Sequence, residues 1–174
     1  YNKYLINIWA DEKQDQLKAL ALAQKERSNR DTPETCDWLA WVHYQMGNEY
    51  NKSDLIDLAI TEYKKAIEIN GYSAKVYNNL GVAYSKRKMF DEEIAAYKMA
   101  IDLDHTYEDA YFNLGIAYGS KGMVDEEIRT YQKVIELDSK SSEALYNLGH
   151  AYRGKEMYDE SIAVFKKAIE INPT

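Results

Sequence analysis

Residues 77–94 read YNNLGVAYSKRKMFDEEI, residues 111–128 read YFNLGIAYGSKGMVDEEI, and residues 145–162 read LYNLGHAYRGKEMYDESI. The three lines keep one spelling at one spacing. Leu80, Leu114 and Leu148 stand 34 residues apart, as do Gly81, Gly115 and Gly149, then Tyr84, Tyr118 and Tyr152, then Asp91, Asp125 and Asp159. The register continues through Ile94, Ile128 and Ile162, through Tyr97, Tyr131 and Phe165, and through Ala100, Val134 and Ala168. A fixed period of this length marks an array of supersecondary units.

Each unit reads as two helices. Apolar residues recur at helical intervals in Tyr77, Leu80, Val82 and Tyr84, and again in Ile94, Tyr97, Ala100, Ile101 and Leu103. The polar stretch SKRKM is the turn between them. The second helix opens on Asp91, Glu92 and Glu93, where carboxylates are expected to cap free amides and face the positive end of the helix dipole. It closes in DLDH, ELDS or EINP. Glycine inside a helix costs about 1 kcal/mol against alanine. A glycine in every unit therefore predicts close helix approach, with a tyrosine or phenylalanine of the partner helix beside it. Ala100 and Ala168 serve the next crossing. One such pair cannot bury both its faces, so pairs stack.

This spelling and period resemble the tetratricopeptide repeat (TPR) family over residues 74–174. The resemblance implies an all-α fold, a right-handed TPR-type α-solenoid of antiparallel helix pairs. Repeats are expected at 74–107, 108–141 and 142–174. A looser one is expected at 40–73, where Gly47, Tyr50, Ala59, Ile60, Tyr63 and Ala66 hold the register. Residues 1–39 are expected to supply N-terminal helices, LINIW and QLKALALAQKE, as a degenerate repeat or a cap, with residues 28–31 as the turn out of them. Thr32-Pro33 suits a helix start, and the segment that follows also reads as one long first helix. The chain departs from the family pattern where its small residue early in the second helix, kept as Ala59, becomes Glu93, Glu127 and Ser161. The usual terminal proline survives only as Pro173, with Gly71, His105 and Ser139 elsewhere. These changes bear on superhelical pitch.

Composition agrees with a helical, packed chain: 174 residues, 45% of them apolar, with only two prolines and eight glycines. A formal net charge of −7 opposes bulk binding to nucleic acid or to anionic lipid. A lone cysteine, Cys36, excludes an intramolecular disulfide, fits a reducing compartment and reads as a buried thiol. No apolar run reaches the length of a membrane span, and no signal peptide is evident. A cytoplasmic location is expected, peripheral on an organelle or membrane-bound complex. A chain opening on Tyr1 is expected to be a fragment.

Chemistry is sparse. His43, His105 and His150 pair with no cysteine or carboxylate at metal-ligand spacing. Nothing marks a nucleophile turn, and GNEYNKSD lacks phosphate-loop spacing. The acidic DEE runs read as helix starts. No catalytic, metal or cofactor site is assigned, and the chain is not expected to be an enzyme.

In the architecture that the resemblance implies, first helices line the concave surface. Gln45, Asn79, Asn113 and Asn147 occupy one inner position per unit. Asparagine carries donor and acceptor together, and some relatives hold an extended peptide with such a ladder; asparagine is also simply common there in the family. Trp41, Tyr44, Asn78, Val82, Phe112, Ile116, Tyr146 and His150 neighbour them and are expected to receive partner side chains. Lys52, Lys75, Lys86 and Arg153 add positive charge; Asp109 and Glu143 oppose it. Relatives that clamp a C-terminal carboxylate carry basic residues at those two acidic positions, so that clamp is not expected here.

The leading expectation is a non-catalytic module that holds a protein or peptide segment in a concave groove. A second is a scaffold assembling as a homo-oligomer through solenoid ends, because AIEINPT follows the last repeat without a polar terminal helix; truncation leaves the same end. In size and repeat-only organisation the chain resembles one TPR-only family, the bacterial magnetosome-associated scaffold. A third is the non-catalytic part of a larger enzyme.

Overall fold

The structure, a computed structural model, describes residues 16–29, 32–52 and 55–172. Those residues form α-helices and no strand: α1 Gln16–Asn29, α2 Pro33–Lys52, α3 Ile56–Ile69, α4 Ala74–Lys86, α5 Phe90–Leu103, α6 Glu108–Ser120, α7 Val124–Leu137, α8 Ser142–Gly154 and α9 Tyr158–Ile171. The architecture is an all-α solenoid of helix pairs. Two compact units divide it, residues 1–88 and 89–174, and the division falls in the turn between α4 and α5.

Within the first unit α1 packs on α2, α2 on α3 and α3 on α4, and α2 also reaches α4. Ala19, Ala23, Leu39, Val42 and Met46 form a core there. Within the second unit each helix from α5 to α9 packs on the next. Its core includes Ile128, Tyr131, Val134, Ala144, Leu148 and Ala151.

The turns repeat with the sequence. Met123 and Met157 amides donate to the carbonyls of Tyr118 and Tyr152, at 2.9 and 3.0 Å, closing each first helix with a six-residue loop. Within that loop Lys88, Gly122 and Glu156 take the left-handed conformation, with φ of 58°, 70° and 63°. Each second helix ends on an Asx-type residue. Asn70 Oδ1 accepts from the Tyr72 amide at 3.1 Å, Asp104 Oδ1 from Thr106 at 2.9 Å, and Asp138 Oδ1 from Lys140 at 2.9 Å. The side chain thus turns the backbone into the next pair.

The mid-helix glycines have the expected cause. A Cβ at Gly47 would stand 2.6 Å from Tyr63 Cε1, one at Gly115 2.7 Å from Tyr131 Cε1, and one at Gly149 2.6 Å from Phe165 Cε1. All three distances are below van der Waals contact, so hydrogen is the only side chain that lets the ring of the paired helix lie flat on the backbone.

Three expectations are refined. First, of the readings open for the segment after Thr32 the structure takes the long one: α2 is a single 20-residue helix from Pro33 that runs across residues 39 and 40. Second, α1 runs through Ser28, whose Oγ donates to the Lys25 carbonyl at 2.8 Å, so the turn begins only after Asn29. LINIW, Arg30, Asp31 and the Cys36 side chain lie outside the described residues. Third, the DEE carboxylates do not occupy the N-cap positions. The N-cap positions are Met89, Met123 and Met157, which make no side-chain cap bond. Asp91 instead pairs with Lys121 at 2.5 Å, Asp125 pairs with Lys155, and Asp57 pairs with Arg87 at 3.0 Å. A carboxylate already inside the first turn points outward, toward the cation at the turn of the following pair.

Candidate functional site

In the first unit the inner wall is a hydrogen-bonded lattice. Tyr63 Oη donates to Asn48 Oδ1 at 2.8 Å, and Asn79 Nδ2 donates to the same oxygen at 2.8 Å and to Tyr44 Oη at 3.3 Å. Burial, with the nearby Tyr44 hydroxyl adding to it, raises the Tyr63 pKa, so this hydroxyl remains a neutral donor. Both donor hydrogens of Asn79 are therefore engaged inside the protein. Asn48, absent from the sequence-based site, is the hub that joins α2, α3 and α4. Only its spacing from Tyr63 and Asn79 across two turns would have revealed it.

Beside this lattice lies a hollow of about 410 Å³, lined by Ala40, Trp41, Tyr44, Gln45, Ala66, Asn70, Ser73, Lys75 and Val76. Lys75 is exposed and has no partner among the described residues. Lys86 reaches back to the Asn51 carbonyl at 3.0 Å, and Lys52 pairs with Glu49 at 2.9 Å, so these two cations serve the end of α2.

The second unit carries the corresponding hollow, about 490 Å³, lined by Phe112, Ser142, Glu143, Tyr146, Asn147, Phe165, Ala168, Ile169 and Asn172. Its rings lean edge to face. Tyr146 and Phe165 centroids lie 5.6 Å apart at 60°, and His150 lies 4.5 Å from Tyr146 and 5.3 Å from Phe165. Arg153 Nη2 sits 3.1 Å from His150 Nδ1. Arginine can only donate, so Nδ1 is the acceptor in this contact. Asn147 hydrogen-bonds the Tyr131 hydroxyl, whose pKa burial raises most and Glu127 raises further. Asn147 thus holds Tyr131 as Asn79 meets Tyr63 in the first unit, and it has no second partner among the described residues.

The structure separates the remaining expected site residues. Phe112, Asn113, Trp41, Tyr44, Gln45, Asn79, Val82, Asn147 and His150 are half-buried; Ile116, Tyr146, Lys75, Lys86 and Arg153 are exposed. Asn78 is the exception. At 6% exposure it is buried, with Nδ2 3.5 Å from Asn79 Oδ1. Phe165, Ile169 and Asn172 belong to the hollow though sequence reasoning did not assign them to it. They come from a second helix and its C-cap, whereas sequence reasoning drew its wall residues from first helices.

A polar pair also crosses the first unit's interior. His43 Nδ1 donates to Glu62 Oε2 at 2.6 Å, and Lys65 Nζ donates to Glu62 Oε1 at 2.7 Å. Burial works to raise the Glu62 pKa, but His43 and Lys65 together outweigh it and the net shift is downward. This pair ties α2 to α3. Among the described residues no group of three or more His, Cys, Asp or Glu side chains is placed to hold a metal, and no helix is long and apolar enough to cross a membrane.

Tetratricopeptide repeat profiles match residues 108–141 and 142–174, and a TPR repeat profile matches 47–88 and 90–122. A crystal structure of MamA is 32% identical, covering 91% of this chain and 90% of that one, with a TM-score of 0.72. The chain belongs to the tetratricopeptide repeat family. A second MamA crystal structure is 30% identical over 98% of this chain and 91% of that one, with a TM-score of 0.76. The first TPR of Spaghetti (RPAP3), bound to the HSP90 peptide SRMEEVD, is 27% identical over 67% of this chain and 93% of that one, with a TM-score of 0.66. Nothing among the curated proteins matches the chain. As a TPR protein the chain is a non-catalytic protein- and peptide-interaction module.

Proposed function

We propose that the TPR units, with repeats at 40–73, 74–107, 108–141 and 142–174, hold an extended segment of a protein partner on their inner walls. The working positions are Phe112, Asn113, Tyr146, Asn147 and the hollow beside them. The observation that supports this most is the exposed aromatic face of that hollow. Tyr146 is 54% exposed on a helix whose other large apolar residues are covered. A structured domain keeps such a ring in water only at a cost, which a partner side chain offsets. Asn147 carries donor and acceptor capacity beyond its tyrosine bond and supports pairing with a peptide backbone.

The test is selection of a random peptide display library on the full chain. Asn113→Ala combined with Asn147→Ala should weaken the selected peptides by about tenfold or more while unfolding stays cooperative, with some loss of melting temperature from the Tyr131 hydroxyl that Asn147 holds. Asn79→Ala should cost more stability and less binding, because its amide holds both Tyr44 and Asn48. Equal binding by the double variant removes the asparagines from the site.

A scaffold reading is favoured by one further observation. Ile60, Ile94 and Ile128 are 9%, 8% and 8% exposed, whereas Ile162 in the same register is 52% exposed and Ile169 is 63% exposed. A second copy seated on α9 would cover both. Light scattering on Ile162→Lys should then show smaller species than the parent; a parent that stays monomeric at high concentration ends this reading. A location in the cytoplasm, peripheral on an organelle or membrane-bound complex, belongs to the same proposal and is supported by the likeness to MamA.

A further inference from the structure

We infer that the hollow of the second unit selects a lysine or arginine side chain from the partner segment. This rests on the groove reading and adds the chemistry of its occupant.

Charge is the first observation. Residues 89–174 hold seventeen Asp and Glu against nine Lys and Arg, a formal −8, while residues 1–88 hold twelve against thirteen. The protein's negative charge therefore lies wholly in the unit that carries this hollow. Glu143 lines this hollow and is exposed; among the described residues it has no partner, and no cation lines the hollow. A carboxylate in the first turn of α8 is an ordinary complement to the helix dipole. The dipole does not account for the rings that share the hollow with that carboxylate.

That is the second observation. Phe112, Tyr146 and Phe165 line the same hollow as the carboxylate and supply ring surface to it, with Ile169 completing an apolar wall. A long aliphatic stem suits such a wall, and a cationic head suits aromatic faces beside a carboxylate. An acidic side chain would meet Glu143 and the negative faces of the rings. The same unit already uses this pairing internally, since Lys98 Nζ lies 5.7 Å from the centroid of Tyr118. Asn147, beside the rings, is placed to hold the backbone of the segment that delivers the cation.

The experiment uses the full chain and capped heptapeptide libraries with mixed flanking residues, their central position held as Lys, Arg, Leu or Glu. The Lys and Arg libraries should be retained about tenfold better than the Leu library, and the Glu library least. Glu143→Gln, nearly isosteric and at an exposed position, should remove the preference for a cation over leucine. Glu143→Lys should invert it toward glutamate. High salt should weaken retention of the basic libraries selectively. Binding without a basic preference, or a basic preference unchanged in Glu143→Gln, overturns the inference and leaves the groove standing. No retention of any library overturns both readings. Melting curves of the two variants that match the parent assign any change to the hollow and not to folding.

Discussion

The two hollows occupy one place in the repeat. Ala40, Trp41, Tyr44, Gln45, Ala66 and Asn70 in the first unit stand 102 residues, three periods, before Ser142, Glu143, Tyr146, Asn147, Ala168 and Asn172 in the second. Positions that build the hollow are kept: a small residue at 40 and 142, tyrosine at 44 and 146, alanine at 66 and 168, asparagine at 70 and 172. The position on its rim changes from Trp41 to Glu143. The third wall differs too. Ser73, Lys75 and Val76 complete the first hollow, whereas Phe112, Phe165 and Ile169 complete the second. Packing therefore holds the shape constant while the rim position is free to change, from the neutral ring of Trp41 to the carboxylate of Glu143.

The comparison breaks first at the glycines. Leucine at Gly47 must displace Tyr63, which is fully buried and held by Asn48, and the loss should be about 3 kcal/mol in a denaturant melt. Leucine at Gly149 meets Phe165, which is only half-buried and has no hydroxyl to anchor it. Its loss should be clearly smaller. Equal losses would mean that the two units are equally rigid at this crossing.

Acid should then move the units in opposite directions. The Glu62 pKa is lowered from its ordinary value of 4.5. Stability from this carboxylate is present above that value and is lost as pH falls toward the folded pKa. Glu127 beside Gly119 has its pKa raised by burial. It favours the fold when protonated, and that contribution is lost as pH rises through the folded pKa. At neutral pH Glu62→Gln should destabilise by about 1–3 kcal/mol, with the difference shrinking in acid. Glu127→Gln should stabilise at neutral pH, again with a difference that disappears in acid. Parallel pH profiles for the two variants would undo the contrast between the His43-tied carboxylate and the merely buried one.

The smallest effect belongs to the ion pairs along the turns. Lys121 and Asp91 are both substantially exposed, and such pairs are screened by salt. Lys121→Ala should leave the melting temperature within error at high salt. A marked loss there would make this rung a structural link, as the buried Glu62–His43 pair is.

Leu80, Gly115, Tyr131 and their copies made the helix pairs legible, because a one-dimensional period is what stacking leaves behind. Gly115 and Tyr131 even announced which side chain meets which backbone. Three things stayed outside that reach. Asp91 looked like a helix cap, since the sequence shows its position in the turn but not the lysine thirty residues on. Asn79 and Asn147 looked alike, and only Asn48, brought in by α2, distinguishes the engaged amide from the available one. Ile162 reads the same as Ile128, and exposure differs because a helix covers one and not the other. Sequence alone determined the pairing of helices and the place of the wall, since both follow from local periodicity and side-chain size. The tertiary structure decided which wall residues are occupied and what chemistry each hollow presents, because hydrogen-bond partners and desolvation are set by residues that meet only when the pairs stack.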